Sequence, residues 1–393
     1  MAAAPFPAVA VVPPGLEEVA AAELAALGAE AVQPLRRAVR CRVDRSALYR
    51  LHLQARMPFR ILRELARFPC RSREELYRGV QQAADWEQWL PPECSFRVDA
   101  SGSAPGLNHS HYTALQVKHA VVDWQRSQWG ERSSVDLDAP DLPLHLHLSP
   151  GRPGETAEAT LSVDGSGGSL HRRGYRAALG LAPLKENLAA GLIALTGWDG
   201  TVPLADPLCG SGTLLIEAAC RALGRASGLS PVGPRPFALQ RWPDFDPNLW
   251  EQEVAAAQAL ARSELADGQP LAAIVGNDAD PGVLAQARSN AAAAGVDGVI
   301  ELRGGDVREF LPPEGPGVLV CNPPYGTRIG EPDGLEQLYA DLGRMVKERC
   351  SGWQLWLLSG NPELTGALRM KASRRVPVSN GGIDCRWLLY DIR

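Results

Sequence analysis

From residue 170 onward, apolar strand-like runs alternate with helical runs, and this alternation leaves few folds open. The helical "APLKENLAAGLIALTGW" is followed in turn by "VPLADPLCGSG", "TLLIEAACRALG", "LAAIVGNDAD", "PGVLAQARSNAAAAG", "VIELRGGDV", "GVLVCNPP", "GLEQLYADLGRMVKERC" and "WQLWLLSGN". Strands joined through helices run parallel, because a helical crossover returns the chain to the end of the sheet where it started. These strands are short and apolar, as strands covered by helices on both faces are. The expectation is a doubly wound α/β domain. The tail "ASRRVPVSNGGIDCRWLLYDI" places Asn380-Gly381-Gly382 between two strand-like runs and reads as a hairpin. Residues 224–270 interrupt the alternation with a Pro- and Trp-rich insert, expected to cover the ligand crevice, with its "RWPDF" ordered over a substrate.

The first half lacks this regularity and reads as α+β. "AVAVVP" is a strand, and "GLEEVAAAELAALG" is a helix closed by Gly28. "AVRCRVD" alternates Val39, Cys41 and Val43 on one face. "SALYRLHLQA" is a short helix with Ser46 as its expected cap, and "RILRELARF" is a strand. "SREELYRGVQQA", "DWEQWL" and "HYTALQVKHAVVDWQRSQWG" are helices, and "SFRVDAS" is a strand. "LPLHLHLSP" and "TAEATLSVDG" are paired strands. "DGSGGS" at 164–169 is the expected linker between the halves.

Net charge is −5, yet residues 34–78 hold thirteen arginines against four acids, a local balance of +9. Charge of one sign gathered in one segment is what a phosphate backbone responds to, so nucleic-acid contact is expected here, with Arg67 and Arg71 as representative candidates. The eight cysteines are scattered without a C-x-x-C pair or a Cys/His cluster. That pattern is neither a disulfide framework nor a zinc site and points to a reducing, cytoplasmic setting. His145 and His147 share a strand face but lack a third ligand nearby in sequence, so no metal is expected. No charge-free apolar stretch reaches spanning length, so no membrane partner is expected either.

The chemistry-bearing residues sit at successive strand ends. In "LADPLCGSGTLLIEAA", Gly210 and Gly212 let backbone approach a ligand and lead into a helix N-terminus. Leu215 stands where a dinucleotide fingerprint needs its third glycine, and no Gly-Lys-Ser/Thr follows, so a pyrophosphate is not expected on this turn. "AIVGNDAD" ends in Asp278, suited to ribose hydroxyls, whereas Asp280 before Pro281 reads as a helix cap. "ELRGGDV" ends in Asp306, placed to accept from an adenine amino group. One strand later, "LVCNPPYG" stops in Asn322-Pro323-Pro324-Tyr325. Two prolines end the strand and hold an amide, two carbonyls and an aromatic ring on a stiff turn.

A glycine turn, an acid, a second acid and then Asn-Pro-Pro-Tyr, in that order, resemble the class I S-adenosylmethionine-dependent methyltransferases that act on exocyclic amino groups. "DPLCGSGTLLIEAA", "HRRGYR" and "NPPYGTRIG" together resemble the bacterial ribosomal RNA guanine-N2 methyltransferases that carry a THUMP RNA-binding domain. The resemblance covers nearly the whole chain. It implies a Rossmann-like methyltransferase domain over 166–393, preceded by a ferredoxin-like domain (1–65) and a THUMP domain (66–165). It also implies S-adenosylmethionine held around Asp206, Gly210, Gly212, Asp278 and Asp306. Arg173, Tyr175 and Arg176 of "HRRGYR" are expected to touch RNA or shape the cofactor pocket, with a domain-junction role as the alternative. The chain ends at Arg393, just after the closing hairpin, so the second methyltransferase domain that some members fuse there is expected to be absent.

The resemblance answers what the strand end is for. An exocyclic amine is a poor nucleophile because its lone pair is delocalised into the ring. The Asn322 side-chain carbonyl and the Pro323 backbone carbonyl can accept its two N–H bonds and aim the nitrogen at a methyl donor. Tyr325 can stack on an extruded base. No strong general base is needed, since the proton leaves after the nitrogen has become cationic. Ribosomal RNA is the expected substrate. The same chemistry on tRNA and adenine-N6 methylation remain open. A nicotinamide dehydrogenase is disfavoured by the missing glycine and by the long gap from Gly212 to Asp278. A non-catalytic RNA-binding adaptor would have no use for Asn322 and Tyr325.

Overall fold

The computed structural model describes residues 4–104, 106–151, 156–176, 184–230, 233–325 and 332–393. The chain opens with β1 (Phe6–Val11), α1 (Glu17–Ala26), β2 (Glu30–Leu35), β3 (Ala38–Val43), α2 (Arg45–Gln54) and β4 (Arg60–Pro69). β1 lies between β3 and β4, antiparallel to both, which is the ferredoxin-like arrangement. Val39, Cys41 and Val43 are buried, as their alternation requires. Gly28 takes a positive φ just past α1. The cap of α2 differs from expectation: Asp44 accepts from Ala47 N at 2.7 Å, while the Ser46 hydroxyl turns to Glu253 far along the chain. A carboxylate one turn back satisfies an orphan N–H and complements the helix dipole.

Next come α3 (Arg73–Gln81), α4 (Trp86–Trp89), β5 (Ser95–Gly102), α5 (Ser110–Trp129), β6 (Ser134–Val135), β7 (Leu142–Ser149) and β8 (Glu158–Asp164). β7 and β8 pair antiparallel as expected, and β5 pairs parallel with both β6 and β7. β8 also pairs with β4 along most of its length. A single eight-stranded sheet, ordered β2-β3-β1-β4-β8-β7-β5-β6, therefore runs through the whole first half.

The second half contains α6 (Glu186–Thr196), β9 (Leu204–Asp206), α7 (Thr213–Ala222), β10 (Leu229–Ser230), β11 (Gly233–Pro234), α8 (Pro247–Ala259), β12 (Ile274–Asp278) and α9 (Pro281–Ala293). It continues with β13 (Ile300–Gly304), β14 (Val318–Cys321), α10 (Pro332–Arg349), β15 (Gln354–Ser359), α11 (Pro362–Gly366), β16 (Arg374–Asn380) and β17 (Ile383–Asp391). Its sheet is ordered β13-β12-β9-β14-β15-β17-β16, with five parallel strands and an antiparallel hairpin at one edge. This is a doubly wound Rossmann-like fold with its switch point between β9 and β14. β9 and β14 are buried throughout, as strands covered on both faces must be. Gly381 and Gly382 both take positive φ in the two-residue turn of the hairpin.

Two expectations are corrected where the halves meet. "DGSGGS" is not a loose linker: Asp164 and Ser166 are buried, the Ser166 hydroxyl accepts from Ile61 N at 2.9 Å, and Gly165 O accepts from Leu239 N at 3.0 Å. Backbone that must satisfy its polar groups inside a core cannot stay flexible. The insert does not lie over the crevice either. Phe237, Leu239, Trp242 and Trp250 join the same buried cluster as Leu48 and Tyr49. Asp244 of "RWPDF" accepts from Arg63 at 2.6 Å and Arg45 at 3.3 Å, and Glu253 pairs with Arg50 at 3.0 Å. The insert is thus a bracket from the second half onto the first domain.

Leu16 completes the joint. It is fully buried and belongs to the core of the second half, although it precedes α1. A Cβ at Gly191 on α6 would collide with its side chain, so the missing methyl there admits it. Leu16→Ala should lower stability by about 2–5 kcal/mol, the cost of a buried leucine truncation that leaves a cavity. Urea unfolding followed by fluorescence measures this, and an unchanged midpoint would mean that Leu16 does not hold the halves together.

Candidate active site

The carboxyl ends of β9, β12, β13 and β14 bring together Asp206, Gly210, Asp278, Asp306 and Asn322. The loop after β9 is tightly built. Asp206 is buried and accepts from Leu208 N at 3.1 Å. Burial, with Asp278 nearby, pushes its carboxyl well above the usual range. Gly210 and Gly212 both take positive φ, and the Cβ position of Gly210 faces open space. Gly210 N donates to Asp278 Oδ2 at 3.0 Å, and Asp280 N donates to Oδ1 at 3.0 Å. A carboxylate offers about four acceptor positions, so Asp278 retains capacity for further donors. Asp280 caps α9 through Gly282 N and Val283 N, as its sequence context implies.

Asp306 stands differently. It caps a short turn and is gripped by its own neighbour, with Arg308 Nε at 2.9 Å and Nη2 at 2.7 Å. Those hydrogen bonds hold its carboxyl down at about 2. An amino group reaching this acid has to share it with Arg308.

At the end of β14, Asn322 Oδ1 is buried and accepts no hydrogen bond from the described residues. A buried carbonyl without a donor is costly, by about 1–3 kcal/mol, unless a ligand supplies one. The following turn is braced on its far side. Pro324 O accepts from the buried Tyr339 hydroxyl at 3.3 Å. The Tyr325 hydroxyl accepts from Asn380 Nδ2 at 2.6 Å, and the Cys385 thiol donates to it at 3.8 Å. Burial raises the Tyr325 phenol to about 12, so it stays neutral. Its ring lies against Gly360 at the end of β15, where a Cβ would collide with the ring carbons. The residues after Tyr325 in "NPPYGTRIG" fall outside the described residues.

Sequence reasoning missed four positioning residues. Asn277 donates from one amide nitrogen to Pro207 O at 3.2 Å and to Gly305 O at 2.9 Å, which ties the loops after β9 and β13 to β12. Asn290 on α9 donates to Ser211 O at 3.0 Å and holds the glycine turn from behind. Gly360 and Asn380 fix the tyrosine. A buried polar residue beside Asp278 was a usable signal for Asn277. The others depend on contacts between distant segments and leave no local trace.

The basic candidates turn inward. Arg173 has 5% of its side chain exposed and donates to Leu170 O and Arg56 O. The buried Tyr175 donates to Glu217 Oε1 at 3.1 Å. Arg176 pairs with Glu186 at 3.1 Å and donates to Thr213 Oγ1 and Leu184 O at 2.6 Å. These are places at the junction behind the glycine turn rather than on a surface open to RNA. In the +9 segment, Arg45, Arg50 and Arg63 bind acids of the insert, Arg60 binds Asp164, and Arg56 donates to Cys220 O and Arg225 O. Arg67 bonds Glu64 and Glu158, whereas Arg71 is 67% exposed and lies 3.9 Å from Glu75. Much of the positive charge is therefore answered internally. His145 and His147 share the Ser101 hydroxyl. Among the described residues, no group of three or more His, Cys, Asp or Glu side chains is arranged to hold a metal. No helix among them is long and apolar enough to cross a membrane.

Comparison with known proteins places this geometry. Family models match over residues 173–388 (RMKL-like, methyltransferase domain), 70–154 (THUMP domain) and 8–62 (RlmL ferredoxin-like domain). A protein of Synechocystis sp. named as an RNA methyltransferase is 42% identical over 98% of this chain and 97% of its own length. The ribosomal RNA large subunit methyltransferase K/L of Ectopseudomonas mendocina is 38% identical over 97% of this chain, which spans only 52% of that relative. The crystal structure of SMU.472, described as a methyltransferase complexed with SAH, matches with a TM-score of 0.84 and 30% identity, covering 99% of this chain and 98% of that one.

Gly360→Ala should push the Tyr325 ring off its seat and lower kcat more than it changes KM for the cofactor, which steady-state kinetics resolve; unchanged kcat would mean that the ring position is immaterial. Asp278→Ala should weaken cofactor binding by about 1.5–3 kcal/mol, the worth of hydrogen bonds to a charged acceptor, in calorimetric titration with S-adenosylmethionine; unchanged affinity would remove Asp278 from the pocket. The family matches, the full-length relative and the ordered strand ends lead to one assignment: the chain belongs to the RMKL-like methyltransferase family, with a THUMP and an RlmL ferredoxin-like domain ahead of its methyltransferase domain.

Proposed function

We propose that the protein transfers a methyl group from S-adenosylmethionine to the exocyclic N2 of a guanine in large-subunit ribosomal RNA. The observation that carries this reading is the buried Oδ1 of Asn322 at the switch-point edge of the crevice, which has no donor among the described residues. The residues fit the cofactor. The open Cβ position of Gly210 leaves room for a ligand against the backbone, and Asp278 keeps acceptor capacity for ribose hydroxyls. When bound, the cofactor supplies an electrophilic methyl on a sulfonium.

The chain's own residues do the positioning. Asn322 Oδ1 and Pro323 O accept the two N–H bonds of the target amine, so that its lone pair points along the line of transfer. The braces on Pro324 and Tyr325 keep these acceptors where they are needed, so little reorganisation accompanies reaction. The neutral Tyr325 ring offers a stacking face for a base taken out of its helix or loop. Residues 166–393 form the catalytic unit in this reading, while 1–65 and 66–165 hold the RNA. Phosphate contact falls to arginines with exposed guanidinium groups, Arg71 among them, and Arg67 would contribute only by exchanging its acids for phosphate.

The test is to incubate the full chain with S-adenosylmethionine and either unmodified ribosomal RNA or tRNA, digest the RNA and identify the methylated nucleoside by mass. N2-methylguanosine from ribosomal RNA is expected; N6-methyladenosine, or methylation of tRNA alone, would overturn the assignment. Asn322→Ala should lower the single-turnover rate about 10²–10³-fold, as loss of one preorganised transition-state contact does, with cofactor affinity unchanged. A near wild-type rate would discard the proposed role of the Asn-Pro-Pro-Tyr turn.

A further inference from the structure

Behind the crevice lies a second cavity of about 320 Å³, lined by Arg56, Arg173, Tyr175, Glu217 and Arg225, with Ala293 and Ala294 on its apolar side. It is separate from the cofactor crevice. Glu217 and Cys220 lie five and eight residues beyond Gly212 along α7, which at ~1.5 Å per residue puts them about 8 and 12 Å from the glycine turn. Ala293 likewise closes the far end of α9, whose other end starts beside Asp278. The cavity thus opens at the opposite end of both helices, where the first domain, "HRRGYR" and the insert converge.

Its polar lining is incomplete. Glu217 has 2% of its side chain exposed; Oε1 takes the Tyr175 hydroxyl, but Oε2 has no partner among the described residues. Among the described residues, the Nε atoms of Arg173 and Arg225 are also buried without a hydrogen-bond acceptor, Arg173 Nε lying 3.7 Å from Glu217 Oε1. Among the described residues, Arg225 makes no ion pair and no side-chain hydrogen bond. Arg173 pairs with Glu217 at 3.7 Å, and the buried carboxylate of Glu23 on α1 faces Arg56 and Arg173, so Arg225 is the guanidinium of this cluster left without a carboxylate among the described residues. Buried charge is costly unless a counter-charge meets it. A phosphate monoester carries about −1.5 to −2 near neutral pH and presents three acceptor oxygens, which suits a cavity where several guanidinium groups converge better than the two oxygens of a carboxylate do. The orphan acceptor of Glu217 calls for a hydroxyl or amine donor on the same molecule. A volume just above ~300 Å³ is at the lower end of small-molecule sites and admits a sugar phosphate.

We propose that this cavity is a second ligand site, which takes a small organic phosphate bearing hydroxyl groups, with Arg225 and Arg173 facing the phosphate and Glu217 Oε2 accepting from a hydroxyl. A free sugar phosphate and the 5′-phosphorylated terminal nucleotide of an RNA share this chemistry.

The probe is ribose 5-phosphate, titrated calorimetrically into the full chain, with ribose and inorganic phosphate as partial ligands. Saturable one-to-one binding is expected, tighter than for inorganic phosphate and undetectable for ribose. Arg225→Gln should weaken it at least about tenfold, while binding of S-adenosylhomocysteine stays as in the wild type. Glu217→Gln should weaken ribose 5-phosphate but not inorganic phosphate. Displacement by a 5′-phosphorylated oligoribonucleotide and not by its 5′-hydroxyl form assigns the site to an RNA end; no displacement by either assigns it to a free metabolite. Absence of saturable binding in the millimolar range, or equal binding by the folded Arg225→Gln variant, overturns the proposal.

Discussion

Strand order is the constraint on which the rest depends. β9 has β12 on one side and β14 on the other, and the chain leaves these strands toward opposite faces of the sheet. Loops that diverge in this way cannot cover the carboxyl end between them, so a crevice is left whatever the loop sequences are. Everything assigned to chemistry lines that gap. The glycine turn and Asp278 flank it on one side and Asn322 on the other. Asn277 makes the arrangement rigid, because one amide satisfies carbonyls of two neighbouring loops at once.

The site is held from two directions. Behind the glycine turn, Asn290, Arg176 and Glu186 form a buried polar layer. On the other side the terminal hairpin reaches back, and Asn380 at its turn grips the Tyr325 hydroxyl. Among the described residues, Asn322 Oδ1 stays without a donor while Asp206, Asn277 and Asp278 at the neighbouring strand ends are hydrogen-bonded. An unpaired acceptor beside such well-paired ones is what preorganisation for a substrate amine requires, since a carbonyl already bonded within the protein would have to break that bond first.

The first half is not a free appendage. Arg45, Arg50 and Arg63 of the arginine-rich segment clamp the insert, and the eight-stranded sheet passes through both domains of the first half without a break. Arginine suits this task because its planar fork satisfies several acceptors in one geometry. The joint fixes how the first half stands relative to the crevice, although it lies away from the strand-end residues.

Local pattern was enough for the elements and for the strand-end residues. Alternating strand and helix signals, the paired glycines, Asp278 and Asn-Pro-Pro-Tyr are read from neighbours within a few positions, and each stands at the strand end where it was expected. The cap of α2 was misplaced by two residues because Asp44 and Ser46 are both good caps, and only the distant Glu253 decides which is free to act. The linker and the insert were misread for one physical reason: composition shows that a segment is polar or glycine-rich, but not whether a partner far along the chain satisfies it. Asp244 for Arg63, Gly191 for Leu16 and Gly360 for Tyr325 are such partners, separated by many residues and joined only when the sheets pack. The placement of the strand-end residues was therefore legible in the sequence, while the contacts that hold them rigid were decided by tertiary structure.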